Sequence, residues 1–197
     1  SDVAHQALDT KATDMDGFMA EAWEKDPSIT VKDALVAKVA VISENLQIRR
    51  FEQVKSNSYV GAYVHGGGRI AVLVNMNSEI VNDTVKEAAK NVAMQVAALN
   101  PRYNTILMEQ ASKEGKPEAI LKKMVEGRLN KELKEYCLQD QVYFRDDELT
   151  VGKYLKQVSK EVGCEVTVTG YVRYETGEGI EKKQEDFAAE VAKQMGQ

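Results

Sequence analysis

The sequence predicts an α+β fold of antiparallel sheets with packed helices. Three observations carry that expectation. Helical and strand-like periodicities interleave, but without the regular strand–helix–strand rhythm of a parallel sheet. The runs "SYVGAYV" and "RIAVLVN" are joined by a turn too short for a crossover, so they pair antiparallel. A helix-then-strand pattern at 30–54 recurs at 150–175, which hints at an internal duplication.

The elements follow in chain order. Residues 14–25 place Met15, Phe18, Met19, Ala22 and Trp23 at helical spacing, and Pro27 stops that helix. "TVKD" at 30–33 is a capping box: the Thr30 hydroxyl accepts from the Asp33 amide while the Asp33 carboxylate reaches back. The helix it opens carries Val31, Leu35, Val39 and Ile42 as an apolar stripe. Leu46, Ile48 and Val54 then share one parity, as in a strand. Two Val-, Ile- and Tyr-rich strands flank "HGGGR". A long helix runs from about Asn82 to Leu99 with Val85, Ala89, Val92, Val96 and Leu99 inward, and Asn100-Pro101 ends it. Residues 104–138 read as two helices broken at "EGKP", an αα-hairpin. "QVYFRDDE" is a short strand and polar loop. A second Thr-capped helix follows, with Tyr154, Leu155 and Val158 inward and Gly163 at its stop. "CEVTVTGYVRYE" is a strand with a bulge at Gly170. "TGEGIEKK" is a turn, and 184–196 form a last amphipathic helix.

Composition narrows the function. The 197 residues include 43% hydrophobic and 29% charged, and 26 Lys plus Arg stand against 31 Asp plus Glu, a net charge of −5. That balance argues against a broad nucleic-acid surface, which needs a cationic face. Two cysteines, Cys137 and Cys164, make no disulfide framework and fit a reducing compartment. No apolar stretch is long enough to span a membrane, and the first residues do not read as a signal peptide. The chain starts without methionine in a helical pattern, so a processed chain or a piece of a longer one is expected.

The glycine run 66–68 poses the sharpest question. A phosphate cradle needs a strand, a glycine-rich turn and then a helix. Here a strand follows, so a hairpin turn needing positive φ is the better reading, with His65 and Arg69 on its rim. His5 and His65 are the only histidines, and neither joins a nucleophile motif. Two Cys and two His have no zinc spacing. The acidic clusters "RDDE" and "ETGEGIE" fall in turns and read as solvated loops. Neither a catalytic group nor a cofactor or metal site is expected. The description suits a protein that works by contact.

Five collinear segments, "LQIRR", "HGGGRIAVLV", "NVAMQVAALNPRY", "EGKPEAILKKMVEGRLNK" and "YVRYETGEGIEKKQEDFAAEVAKQ", resemble the bacterial elongation factor Ts family from about residue 30 onward. That family exchanges nucleotide on elongation factor Tu, the GTPase that delivers aminoacyl-tRNA. The resemblance implies two related α+β core subdomains of the family's dimerisation-domain type. Residues 1–56 would be a remnant of the first, and 57–101 with 140–180 the second. A helical hairpin at 102–139 would project, and 181–197 would form a C-terminal helix module.

The resemblance also implies an allosteric mechanism in the cytoplasm, without a cofactor and without direct contact to nucleic acid. The factor grips two domains of the GTPase and disturbs its magnesium and phosphate site, so GDP leaves. Contact positions carried over are Ile42 and Ser43 in "VISEN", His65 and Gly66 in "HGGGR", and Phe144 and Arg145 in "QVYFRD". At the last of these the family usually has Gln-Pro-Phe-Val. The family's N-terminal helical domain and its Thr-Asp-Phe-Val motif do not occur in the sequence. A binder without efficient exchange is therefore the alternative reading. The hairpin is a candidate for self-association.

Overall fold

The computed structural model describes residues 2–104 and 134–180. The chain divides into two compact units, Ser1–Lys55 and Ser56–Gln197. Helices and antiparallel sheets alternate in both, as an α+β chain requires.

The first unit opens with α1 (Asp2–Asp9) and α2 (Met15–Ala20). The Asp14 side chain caps α2 by accepting from the Gly17 amide. The helix expected over 14–25 is thus shorter than its periodicity. Glu21 is already extended, and Ala22–Trp23 form β1, paired with β2 (Asp26–Thr30). Pairing with β2 gives these backbone groups partners across the hairpin, and Trp23 stays half-buried either way.

Thr30 caps α3 (Val31–Ile42) through the capping box read from sequence, with the Asp33 amide 3.1 Å from the Thr30 hydroxyl. Of the expected stripe only Val31 is buried. Leu35 and Val39 are half-buried and Ile42 is exposed. Residues 46–54 form no strand. Leu46, Ile48 and Val54 do share half-burial, but no described strand pairs with this segment, and alternation without a ladder partner is not a strand.

The second unit is built on a three-stranded antiparallel sheet of β3 (Tyr59–His65), β4 (Ile70–Asn77) and β7 (Thr167–Glu175), in the order β3-β4-β7. Asn75 faces Gly170 while Met76 faces Val168, so a bulge sits where Gly170 suggested one.

One sheet face is covered by α4 (Asp83–Leu99), capped by the Asn82 side chain and ended by a left-handed Asn100. Val85, Ala88, Ala89, Val92, Ala93 and Val96 are buried against Val72, Val74 and Met76. Each such valine contributes on the order of 1.5–3 kcal/mol. Leu99, expected inward, is exposed in the last turn beside the cap. Gly61 lets helix and strand approach: a Cβ there would lie 2.6 Å from the Ala89 Cβ.

The hairpin β5 (Val142–Tyr143) and β6 (Asp146–Thr150) leads into α5 (Val151–Val162), capped by Thr150 and closed by left-handed Gly163. Val151, Leu155 and Val158 are buried and Tyr154 packs beside them, as its periodicity predicts.

Most of the expected helical hairpin and the whole terminal helix lie outside the described residues. The two ends of that insertion do meet. Tyr103 and Cys137 bridge, and the Leu138 and Gln139 amides donate to the carbonyls of Tyr103 and Asn104.

Candidate docking surface

The predicted site residues fall into three places. The first is the turn between β3 and β4. Gly66, Gly67 and Gly68 all have positive φ (59°, 64° and 101°), which a side-chain-bearing residue adopts only with strain. This explains three glycines in a row without a phosphate. The Arg69 amide closes the turn by donating to the Gly66 carbonyl at 3.3 Å, and β4 begins at the next residue. His65 enters it exposed, with its Nδ1 3.0 Å from the Tyr63 hydroxyl.

The exit of the turn is braced. The Arg69 carbonyl accepts from the Thr176 amide at 2.8 Å, and the Arg69 Nε stands 3.9 Å from Glu175. Glu175 is in turn held by Arg173 at 2.8 Å. The hydrogen bond from Arg173 keeps the Glu175 carboxyl below its ordinary range. The exit of the turn is thereby tied to the end of β7.

The second place is the end of α3. Ser43 is the C-terminal cap in the left-handed region (φ 62°), donating its amide to the Val39 carbonyl at 2.8 Å. Ile42 beside it is exposed, and so are Val36 and Val41. The end of α3 thus leaves apolar side chains open.

The third is the β5–β6 turn. Phe144 and Arg145 are both exposed, with the guanidinium 5.4 Å from the ring centroid. The turn is anchored from behind. Gln95, fully buried on α4, accepts from the Phe144 amide at 2.9 Å and donates to the Val142 carbonyl at 2.8 Å. Tyr143 stacks on Tyr154 at 4.3 Å, and burial, then Tyr154, pushes its phenol upward.

His65 and Gly66 close one end of β3. Arg145 lines a cavity with Tyr59, Gly61 and Ala62 from the other half of that strand. Ile42 and Ser43 belong to the first unit. Sequence reasoning missed Gln95, the Arg173–Glu175 brace, and Lys86 and Lys90, which line the same cavity as Arg145. The lysines had a signal, a four-residue spacing on the polar face of α4, but a solvated helix face shows the same spacing.

None of this is a nucleophile–base pair. The recorded ring partner of His65 is a tyrosine hydroxyl, Cys137 is buried, and Cys164 lies 3.4 Å from the Ser78 hydroxyl. Among the described residues no cluster of His, Cys, Asp and Glu could hold a metal ion, and no helix is long and apolar enough to cross a membrane.

Comparison with known proteins bears on these surfaces. The family model described as "Elongation factor TS" matches residues 1–178. The Elongation factor Ts of Clostridium tetani (strain Massachusetts / E88) is 46% identical over 210 aligned residues, covering 99% of this chain and 69% of that protein. The one from Clostridium novyi (strain NT) is 44% identical with the same coverage. That of Clostridioides difficile (strain 630) is 43% identical, over 98% of this chain and 68% of its own length.

Proposed function

The chain belongs to the elongation factor Ts family of translation elongation factors, and on that premise we propose that it binds elongation factor Tu carrying GDP and promotes GDP release. It does so in the cytoplasm, by contact alone and without covalent chemistry of its own. The observation that carries this reading is the exposed triglycine turn, braced at its exit by Thr176 and Glu175. Ile42 with Ser43, His65 with Gly66, and Phe144 with Arg145 are the proposed contacts.

Exchange by contact is a linkage effect. A grip that disturbs the magnesium and phosphate site of the GTPase weakens GDP, and GDP must weaken the grip by the same factor. Each tenfold change corresponds to about 1.4 kcal/mol of coupling. We also propose self-association through residues 102–139, a segment whose ends meet at Tyr103 and Cys137.

A second reading rests on a feature of the sequence, which contains no Thr-Asp-Phe-Val motif. On that reading the chain as given binds elongation factor Tu but exchanges nucleotide poorly. Release of a fluorescent GDP from elongation factor Tu, with and without excess chain, separates the two. Acceleration supports exchange. Binding without acceleration supports the second reading, and absence of binding overturns both.

A further inference from the structure

We propose that the groove along the outer edge of β3 binds an extended acidic peptide segment of a partner protein, added to the sheet as a further strand. In the order β3-β4-β7 no strand among the described residues pairs with the far side of β3. A cavity of about 450 Å³ lies along it, bounded by β3, α4 and the β5–β6 turn. Tyr59 and Gly61 lie on the helix side of β3 and Ala62 on the opposite side, yet all three line the cavity. It therefore opens at the strand's edge, where backbone amides and carbonyls are on offer. A groove between an edge strand and a helix is a recurrent way to capture an extended peptide.

The charge of the groove selects the peptide. Its lining holds Lys86, Lys90 and Arg145 against a single carboxylate, Glu87, in a chain whose net charge is −5. Lys86 is shared with Asp83 at 3.3 Å and Arg145 with Glu87 at 3.9 Å. Pairs this exposed are held weakly and exchange readily. Lys90 has no ion-pair partner among the described residues. Lys86 and Lys90 stand one helical turn apart, about 6 Å along the axis. Alternate side chains of an extended strand repeat at about 6.6 Å. Acidic residues at every second position therefore meet the lysines in turn, while the peptide backbone pairs with β3. A nucleic acid finds less here: one tyrosine to stack on, and an acidic protein around it.

The probe is a fluorescein-labelled octapeptide alternating Thr and Glu, titrated with the full chain and followed by anisotropy. Saturable binding at 50 mM salt is expected, weakened at least tenfold in the double variant Lys86→Glu/Lys90→Glu and several-fold in Lys90→Met. Ala62→Pro, which disturbs the strand edge without altering charge, is expected to weaken it too. Circular dichroism confirms that each variant is folded. Equal binding of a Thr/Lys octapeptide, or no effect of the charge reversal, overturns the proposal. Tighter binding of an oligouridylate also overturns it and marks a nucleic-acid surface instead. Elongation factor Tu takes no part in the assay, so its outcome is independent of the exchange-factor reading.

Discussion

Residues 21–43 and 141–163 are two versions of one device, offset by 120 positions. Ala22 pairs with Thr30 and Trp23 with Asp26; Val142 pairs with Thr150 and Tyr143 with Asp146. The Val31 amide donates to the Glu21 carbonyl, and the Val151 amide to that of Gln141. A Thr cap opens each helix and a left-handed residue, Ser43 or Gly163, ends it. A glutamine from a preceding helix holds each hairpin. Gln6 donates to the Ala22 carbonyl and accepts from the Glu24 amide, as Gln95 does with Val142 and Phe144.

The difference is burial. Val151, Leu155 and Val158 of α5 join a core that rests on a three-stranded sheet. In α3 only Val31 is buried. Local chemistry fixes the device; the layer beneath it decides how much stability it yields and how much apolar surface stays open for a partner.

The sharpest way to test that contrast is a matched truncation. Leu155→Ala removes a buried side chain and is expected to cost about 3 kcal/mol in urea unfolding, against about 1 kcal/mol for the half-buried Leu35→Ala. Equal losses would mean that α3 is covered as fully as α5. The glutamines come next. Gln95→Leu takes the partner from the part-buried Phe144 amide and Val142 carbonyl, about 2 kcal/mol. Gln6→Leu is expected to cost about half as much, because its hairpin is more open to water. Trp23, the only tryptophan, reports the first unit by its emission, and amide exchange along β4 reports the second.

The helix ends give a smaller, signed effect. Ser43 occupies a left-handed position that glycine accepts at no steric cost. Ser43→Gly is expected to stabilise the first unit by about 0.5–1 kcal/mol, and Gly163→Ser to destabilise the second by a similar amount. If Ser43→Gly also weakens binding to elongation factor Tu while raising stability, the strained serine is a contact. Unchanged binding would confine it to a structural role.

Much of this was legible in the sequence because caps, turns and periodicity are local. "TVKD", Gly163, the glycine turn and the stripe of α4 each declare themselves within a few residues. What stayed hidden depends on distant partners. Residues 46–54 alternate like a strand, yet no described strand pairs with them. Gln95 looks like any helix-surface glutamine until the hairpin 47 residues later closes over it. The duplication was hinted at as helix then strand, but the strand half fails at 46–54; the repeat is a hairpin ahead of each helix, and its shared register needed coordinates.

The last contrast is in acid. Three carboxylates of the first device sit below their ordinary range. The Thr10 hydroxyl, 2.7 Å away, does this for Glu21, the Ser28 hydroxyl for Asp26, and the Thr30 hydroxyl for Asp33. The matched positions hold Gln141, Asp146 and Lys153, so two of the three carry no carboxylate. A carboxyl lowered by folding stabilises the native state above its unfolded value, near 4.5 for Glu21, and that contribution is lost as pH falls through the lower folded value. The first unit is therefore expected to loosen before the second as pH falls below about 4.5. Trp23 emission should shift while exchange along β4 stays slow. Glu21→Gln makes the first device resemble the second at this position; it removes the ionised form that folding favours, so it should lower the stability of the first unit near neutral pH and make its acid transition shallower. Coincident transitions in both units, unchanged by Glu21→Gln, would show that the two devices share one cooperative acid response.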